Sequence, residues 1–409
     1  MDLRSGCPLW PIRDGLPATY PRLDADAECE IAVVGGGITG ALAADALVAA
    51  GISTILLDRR DFGWGSTSAT TALVLYELDA PLHQLADAMG EARAAECYAA
   101  TLGALDTLDR IAASLEADCG YARRPSLYLA SRSSHRAALE REHEIRTRHG
   151  FPVEFWDRRR IAAAFPFRRA AALFTEDAAE LDPYRFTHAL IDRASQHGLR
   201  AHDRTEVVRT DLEADRRPSR RVRLVTGEGH EVRARGVVFA TGYETQARLK
   251  QREVSLHSTY AVASEPIADF TSWHRRCLIW ESARPYLYLR TTEDGRVIVG
   301  GEDDRFRSPR RRDAALPRRA RRLHGRFAGL FPHMPFEPAF SWAGTFAETK
   351  DHLPYIGRHP HHPNAWFAAA YGGNGVSFGV LAAEIILEEV LGGEHPAAAL
   401  FGFDRSRRR

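Results

Sequence analysis

The run Glu30-Ile31-Ala32-Val33-Val34-Gly35-Gly36-Gly37-Ile38-Thr39-Gly40 decides the fold. Its apolar half reads as a buried parallel strand that stops at glycines, and Ala41 to Ala50 continues as an Ala/Leu-rich helix closed near Gly51. Gly35, Gly37 and Gly40 take the G-x-G-x-x-G spacing: the first permits the tight turn, the second lets a pyrophosphate approach the backbone, and the third lets helix and strand pack closely. Ser53 to Leu57 reads as a second strand ending on Asp58, near the roughly 20-residue separation at which an acidic side chain reaches ribose hydroxyls. The pattern predicts a dinucleotide whose phosphates face a helix N-terminus. Arg59 and Arg60 would suit a 2′-phosphate, but the carboxylate before them repels one, so a cofactor with free ribose hydroxyls is expected.

Length and composition bound the remainder. At 409 residues with a net charge of +1, the chain is long enough for two domains and carries no global signature of a nucleic-acid binder. Arginine supplies almost all the positive charge, since Lys250 and Lys350 are the only lysines, and the terminal Arg405, Arg407, Arg408 and Arg409 read as a solvated tail. Five widely spaced cysteines without a C-x-x-C suit a reducing cytosol. The amino end lacks the order of a secretory signal, and no apolar run reaches about 18 residues, so a cytoplasmic protein without a membrane span is expected.

Beyond the opening unit, His83 to Asp118 reads as one or two long helices that leave the nucleotide fold. Short strands are expected at Leu127 to Ser131 and Val153 to Trp156, and a helix at Pro183 to His197 entered from a Leu-Asp-Pro turn. Thr205 to Arg209, Val222 to Thr226 and Val232 to Ala234 form a strand cluster, and Gly236 to Gly242 returns to the parallel sheet. From Ser258 to Gly301 the pattern becomes that of an antiparallel sheet. Within it Tyr286, Tyr288 and Arg290 share one face and Leu287 and Leu289 the other, so if the leucines face the core the tyrosines and arginine line a cavity or solvent. Gly372-Gly373-Asn374-Gly375 then precedes an amphipathic helix, Val376 to Leu391, stopped by Gly392 and Gly393. Two distant glycine entrances suggest a long cofactor held at both ends, which favours FAD over a nicotinamide nucleotide.

With these pieces in place the sequence resembles the FAD-dependent D-amino-acid-oxidase superfamily, in the branch containing glycine, sarcosine and gamma-glutamylputrescine oxidases. The matching motifs are Val34 to Gly40, Gly63-Trp64-Gly65-Ser66-Thr67-Ser68, Leu181 to Tyr184, Thr205 to Val207, Ala240-Thr241-Gly242, Gly295 to Gly301, Asp351 to Gly357 and Gly372 to Gly375. The resemblance implies an α/β fold: a discontinuous Rossmann-type FAD domain, expected at 28–82, 160–250 and 340–409, with an inserted antiparallel-sheet substrate domain at 83–159 and 251–339. It implies that Gly35, Gly36, Gly37, Ile38, Thr39, Gly40, Asp58, Arg59, Gly65, Ser66, Thr67, Ser68, Val207, Ala240, Thr241 and Gly242 hold FAD. Gly372, Gly373, Asn374, Gly375 and Val376 would meet the isoalloxazine.

Three departures from the family pattern matter. The arginine that grips a substrate carboxylate in many relatives is replaced within Gly344-Thr345-Phe346-Ala347, and Phe346 cannot pair with an anion. Unless Arg290 takes over, an amine without an α-carboxylate gains weight. Ala343 stands where sarcosine oxidases tether flavin through cysteine, and Ser66 to Ala72 holds no histidine, so FAD is expected to be non-covalent. Ser377 aligns with the oxygen-activating lysine of sarcosine oxidase, which leaves oxidase and dehydrogenase both open, with Lys350 a substitute.

The expected reaction is hydride transfer from an amine-bearing carbon to flavin N5, giving an imine. Tyr260, Tyr288 and Arg290 are the candidates for the wall facing the flavin, each tyrosine alternatively a packed aromatic, and His352 approaches the flavin by family position. His352, His359, His361 and His362 sit among prolines in what reads as an exposed loop, and no metal is expected. The partner is a small amine or amino acid. The alternative is an FAD-binding relay or scaffold subunit without amine turnover, with Leu9, Trp10 and Pro11 as a docking segment or a cover for its own domain.

Overall fold

A computed structural model describes residues 3–213, 221–245, 254–306, 308–369 and 371–405. Arg407 to Arg409 and the domain boundary expected at 250 lie outside them.

The strand Ala27–Val34 is the hub of an eight-stranded sheet. It pairs in parallel with Thr54–Leu57 on one side and Glu231–Phe239 on the other, and Arg200–His202 and His362–Ala369 extend the parallel set at its two ends. Its side chains alternate between two cores. Ile31 and Val33 join the helices Ile38–Ala49, Pro183–Gln196 and Gly375–Leu391 on one face, while Ala32 and Val34 pack with Val237 and Phe239 on the other. Val232 to Ala234 and Gly236 to Gly242 prove to be one continuous strand, Glu231–Phe239, because it carries the parallel pairing and the antiparallel excursion through Val222–Thr226 and Val207–Asp211 together.

The second sheet has ten strands, pairing antiparallel throughout except where Leu278–Glu281 runs parallel to Ala122–Leu129. Its membership corrects the expected boundaries. Leu73–Leu75, Ala171–Glu180 and most of Pro338–Thr349 fall in segments assigned to the nucleotide domain, yet they pair in the second sheet. Conversely, the helices Leu82–Met89 and Glu91–Ala113 do not leave the nucleotide fold. Leu85, Ala94, Tyr98, Leu105 and Leu108 belong to the same core as Ile38 and Leu381. Their apolar faces predicted burial correctly but carried no information about which surface they would meet.

The amino end belongs to both layers. Arg4–Gly6 adds an edge strand to the second sheet beside Pro338–Thr349, and Leu9–Asp14 folds over the flavin-side loop, where Trp10 donates its indole N–H to the Thr70 carbonyl at 2.7 Å. Leu9 and Trp10 are fully buried, so this segment covers its own domain. Arg405 is likewise no solvated tail: it is buried, its guanidinium grips Asp351 at 2.8 Å and lies 3.8 Å over the Tyr355 ring.

Candidate functional site

A groove of 510 Å³ runs along the carboxyl ends of the parallel strands. Gly35 turns the chain at φ +111°, and a Cβ on Gly40 would sit 1.7 Å from the Gly35 carbonyl oxygen, so the helix Ile38–Ala49 meets the strand only because both positions are glycine. The N-cap residue of that helix, Gly37, has no side chain with which to cap it. Its amide end therefore points into the groove as a ready anion site. Thr67 fixes the loop opposite, its hydroxyl accepting the Ile38 N–H at 3.0 Å, and the buried Ser66 hydroxyl is left without a partner among the described residues. An orphaned buried donor beside open helix amides is what a bound cofactor's oxygens would satisfy.

At the far end, Asp58 accepts the amides of Gly36 at 2.6 Å and Arg60 at 2.8 Å. Burial raises its carboxyl pKa, and the two amides together with Arg60 pull it partly back. Arg59 pairs with Glu244 and lies 3.5 Å from Glu206, and Arg60 reaches Glu244 at 3.2 Å. The arginines beside Asp58 are thus engaged by carboxylates, which fits free ribose hydroxyls better than a second phosphate. Of the expected cofactor set, Gly35, Gly37, Ile38, Thr39, Asp58, Arg59, Gly65, Ser66, Thr67, Val207, Ala240, Thr241, Gly242, Gly375 and Val376 line this groove. Gly36 and Gly40 shape it from behind, and Ser68 is turned inward, donating its hydroxyl to the Gly65 carbonyl at 2.9 Å.

A second cavity of 170 Å³ opens off the groove, sharing Ser66, Thr70 and Tyr243 with it. Its floor is the second glycine loop. Asp79 accepts the Gly373 amide at 2.6 Å, and Asn374, instead of capping the helix Gly375–Leu391, donates to the Glu77 carbonyl at 2.8 Å. The Ser377 hydroxyl donates to the Leu75 carbonyl at 2.7 Å. Residues 75–79, continuing from the edge strand of the second sheet, therefore set the height of that helix end above the cavity. The walls are Trp280, Tyr286, Tyr288 and Phe346.

The candidate wall residues separate. Tyr288 lines the cavity, with its hydroxyl 3.2 Å from Thr259 Oγ1, while Leu287 and Leu289 enter the core as alternation required. Tyr260 does not line it. It lies in the core beneath the arginine-rich helix Pro309–Leu330, its hydroxyl donating to Asp304 at 2.9 Å, and its neighbour Thr259 takes the cavity face. Arg290 is buried away from the cavity and donates to the carbonyls of Thr71, Ala72 and Leu181 at 3.2, 2.8 and 3.0 Å. Its guanidinium thus holds the backbone of the cavity-lining Thr71 and does not itself line either cavity. His352 lines neither cavity; it pairs with Glu348 at 3.0 Å, and that carboxylate raises its pKa against the opposing effect of burial. No group of three metal-binding side chains occurs among the described residues.

Asp79, Asp303, Tyr243 and Trp280 are lining residues that the sequence reading did not select. One signal was available for the wall: Tyr288 lies opposite Gly300 in the antiparallel register, and a Cβ there would stand 2.1 Å from its ring. A tyrosine facing a glycine across two strands marks a ring laid flat on the sheet.

The family model described as DAO, FAD dependent oxidoreductase, matches residues 30–389. The chain belongs to this family of FAD-dependent oxidoreductases. It is 26% identical over 234 residues to the putative Rieske 2Fe-2S iron-sulfur protein YhfW of Bacillus subtilis (strain 168), a match covering 57% of this chain and 44% of that protein. Against the gamma-glutamylputrescine oxidoreductase of Escherichia coli (strain K12) it is 24% identical over 399 residues, 92% of this chain and 86% of the relative. Among solved structures, L-proline dehydrogenase from P. horikoshii superposes with a TM-score of 0.75 at 18% identity, covering 94% of this chain and 99% of the other. The DAO-family fold and the FAD requirement follow. No helix among the described residues is long and apolar enough to cross a membrane.

Proposed function

We propose that this FAD enzyme oxidises a C–N bond of an amine that lacks an α-carboxylate, held in the 170 Å³ cavity. The lining carries the reading: Glu77, Asp79 and Asp303 face that space together with four aromatic walls, and no arginine, lysine or histidine does, among the described residues. A carboxylate substrate would meet no counter-ion there. The names of the gamma-glutamylputrescine and L-proline relatives support C–N chemistry.

Bound FAD supplies the acceptor for the hydride leaving the amine-bearing carbon. The protein's part is to place that carbon. Trp280, Tyr286, Tyr288 and Phe346 exclude water and leave a slot between them, and orientation alone is worth several kcal/mol. The amine must arrive neutral, because protonation removes the lone pair that stabilises the developing iminium. No cysteine or histidine lines either cavity among the described residues, which supports non-covalent FAD. The five cysteines are unpaired and four are buried, which supports a reducing, cytosolic setting.

The test is anaerobic absorbance of the yellow protein against alkylamines, N-methyl amino acids and D-amino acids, followed by air. Bleaching by amines but not by the carboxylate-bearing compounds is expected, and recovery in air separates oxidase from dehydrogenase. Rapid bleaching by D-amino acids or sarcosine with none by simple amines would reject the reading.

A further inference from the structure

We propose that Asp303 makes the second cavity selective for an amine carrying another positive charge, its carboxylate receiving the cationic group that is not oxidised. This rests on the amine reading above.

Three carboxylates line the cavity, and their partners differ. Glu77 accepts from Arg146 Nη1 at 3.1 Å in a fully buried pair. Asp79 holds the Gly373 amide, and Arg284, lying 3.4 Å over the Tyr286 ring, donates to its backbone carbonyl at 3.2 Å. Asp303 makes no ion pair among the described residues and, unlike Asp79, holds no backbone amide there. The neighbouring strand residues take the nearby cations instead: Glu302 binds Arg319 at 2.9 Å, Arg322 at 3.1 Å and Arg326 at 3.3 Å, and Asp304 binds Arg319 at 2.5 Å. Those arginines belong to the helix Pro309–Leu330, on the opposite side of the sheet from the cavity.

Asp303 is thus a carboxylate without a counter-ion, placed where a ligand sits. Burial raises its pKa to about 6, with Thr259 and the Arg284 charge pulling against that rise, so it is ionised at neutral pH and gains most from a cation that replaces lost water. The flanking Trp280, Tyr286 and Tyr288 rings suit a short alkylene chain and add favourable faces for an ammonium. A cation fixed at Asp303 stays protonated, whereas the reacting amine has to be neutral. Holding the remote charge there keeps the two nitrogens from exchanging places.

The experiment uses the FAD-loaded protein, titrated anaerobically with butylamine and with 1,4-diaminobutane while flavin spectral shift reports binding and bleaching reports oxidation. In the wild type the diamine is expected to half-saturate at a concentration at least about tenfold below butylamine. Asp303→Asn should weaken the diamine about ten- to hundredfold and bring the ratio of the two ligands toward one, and Asp303→Glu should restore part of it. Equal saturation of the wild type by both ligands overturns the proposal. So does an equal loss for both in Asp303→Asn, which would assign the carboxylate to the reacting amine. The wild-type comparison needs no variant and decides the matter even if Asp303→Asn fails to hold FAD. Diamine binding that shifts but never bleaches the flavin sinks the amine-oxidation reading while sustaining the Asp303 site, and bleaching without diamine preference does the reverse.

Discussion

Gly40→Ala tests the assignment of the groove more sharply than loss of any polar group. The added Cβ would lie 1.7 Å from the Gly35 carbonyl oxygen and 2.9 Å from its carbon. Non-bonded atoms need about 3.5 Å, and a Cβ has no rotamer through which to escape. The helix Ile38–Ala49 must retreat from the strand, taking its amide end with it. Overpacking of this kind costs about 1–3 kcal/mol, which, if it falls on the FAD-bound form, becomes a loss of FAD affinity of about five- to a hundredfold at about 1.4 kcal/mol per decade. Apoprotein titrated with FAD and followed by flavin fluorescence quenching gives the affinity, and far-UV circular dichroism shows whether the chain remains folded. Gly103→Ala is the control: it lies in the helix Glu91–Ala113 with nothing within 4 Å of the new Cβ, and should bind FAD as the wild type does. A Gly40→Ala protein whose FAD affinity is within threefold of wild type would refute the close-approach argument.

Other consequences follow from the buried charges and the walls. Arg146 links Glu142 at 2.6 Å and Glu77 at 3.1 Å with all three side chains fully buried, so Arg146→Met should cost about 3–5 kcal/mol in urea unfolding; a loss under about 1 kcal/mol would show that the network is dispensable. Burial alone would raise Glu142, but Arg146, His83 and the Leu82 and His83 amides outweigh it and hold the carboxyl at about 2 instead of 4.5. Its contribution, about 3 kcal/mol, is therefore complete above pH 4.5 and lost as pH falls toward 2, and Glu142→Gln should flatten that limb of the urea-midpoint profile. Tyr288→Phe should slow flavin reduction while leaving FAD affinity intact, since Tyr288 lines only the second cavity; unchanged reduction removes it from the site. Acid-precipitated protein should release its yellow colour to the supernatant, and retained colour would reveal a covalent link.

The two glycine entrances and the alternation of residues 286–290 were legible in the sequence because each depends on local geometry alone. Tyr260 shows where such reasoning stops. Its strand, Val254–Ser264, has both faces covered, and only pairing register says which parity meets the cavity; Tyr260 opposes Gly301 on one side and Ala343 on the other, so Thr259 takes the place expected of the tyrosine. Arg290 and Arg405 read as a wall residue and a tail because their partners, the carbonyl of Thr71 and the carboxylate of Asp351, are 219 and 54 residues away. Asp303 was hidden among Glu302 and Asp304, three acids that become distinguishable only when a helix takes up two of them.

The strap formed by Arg4–Gly6 and Leu9–Asp14 has a practical meaning for anyone handling the protein. Leu3 borders the cofactor groove, and Trp10 clasps the loop that begins at Ser66, although both precede the first strand of the nucleotide fold. Trimming a recombinant version back to the family motif would look harmless on a domain diagram. It would strip an edge strand from the substrate layer and unfasten the flavin loop together, so an affinity tag belongs elsewhere or behind a long flexible spacer.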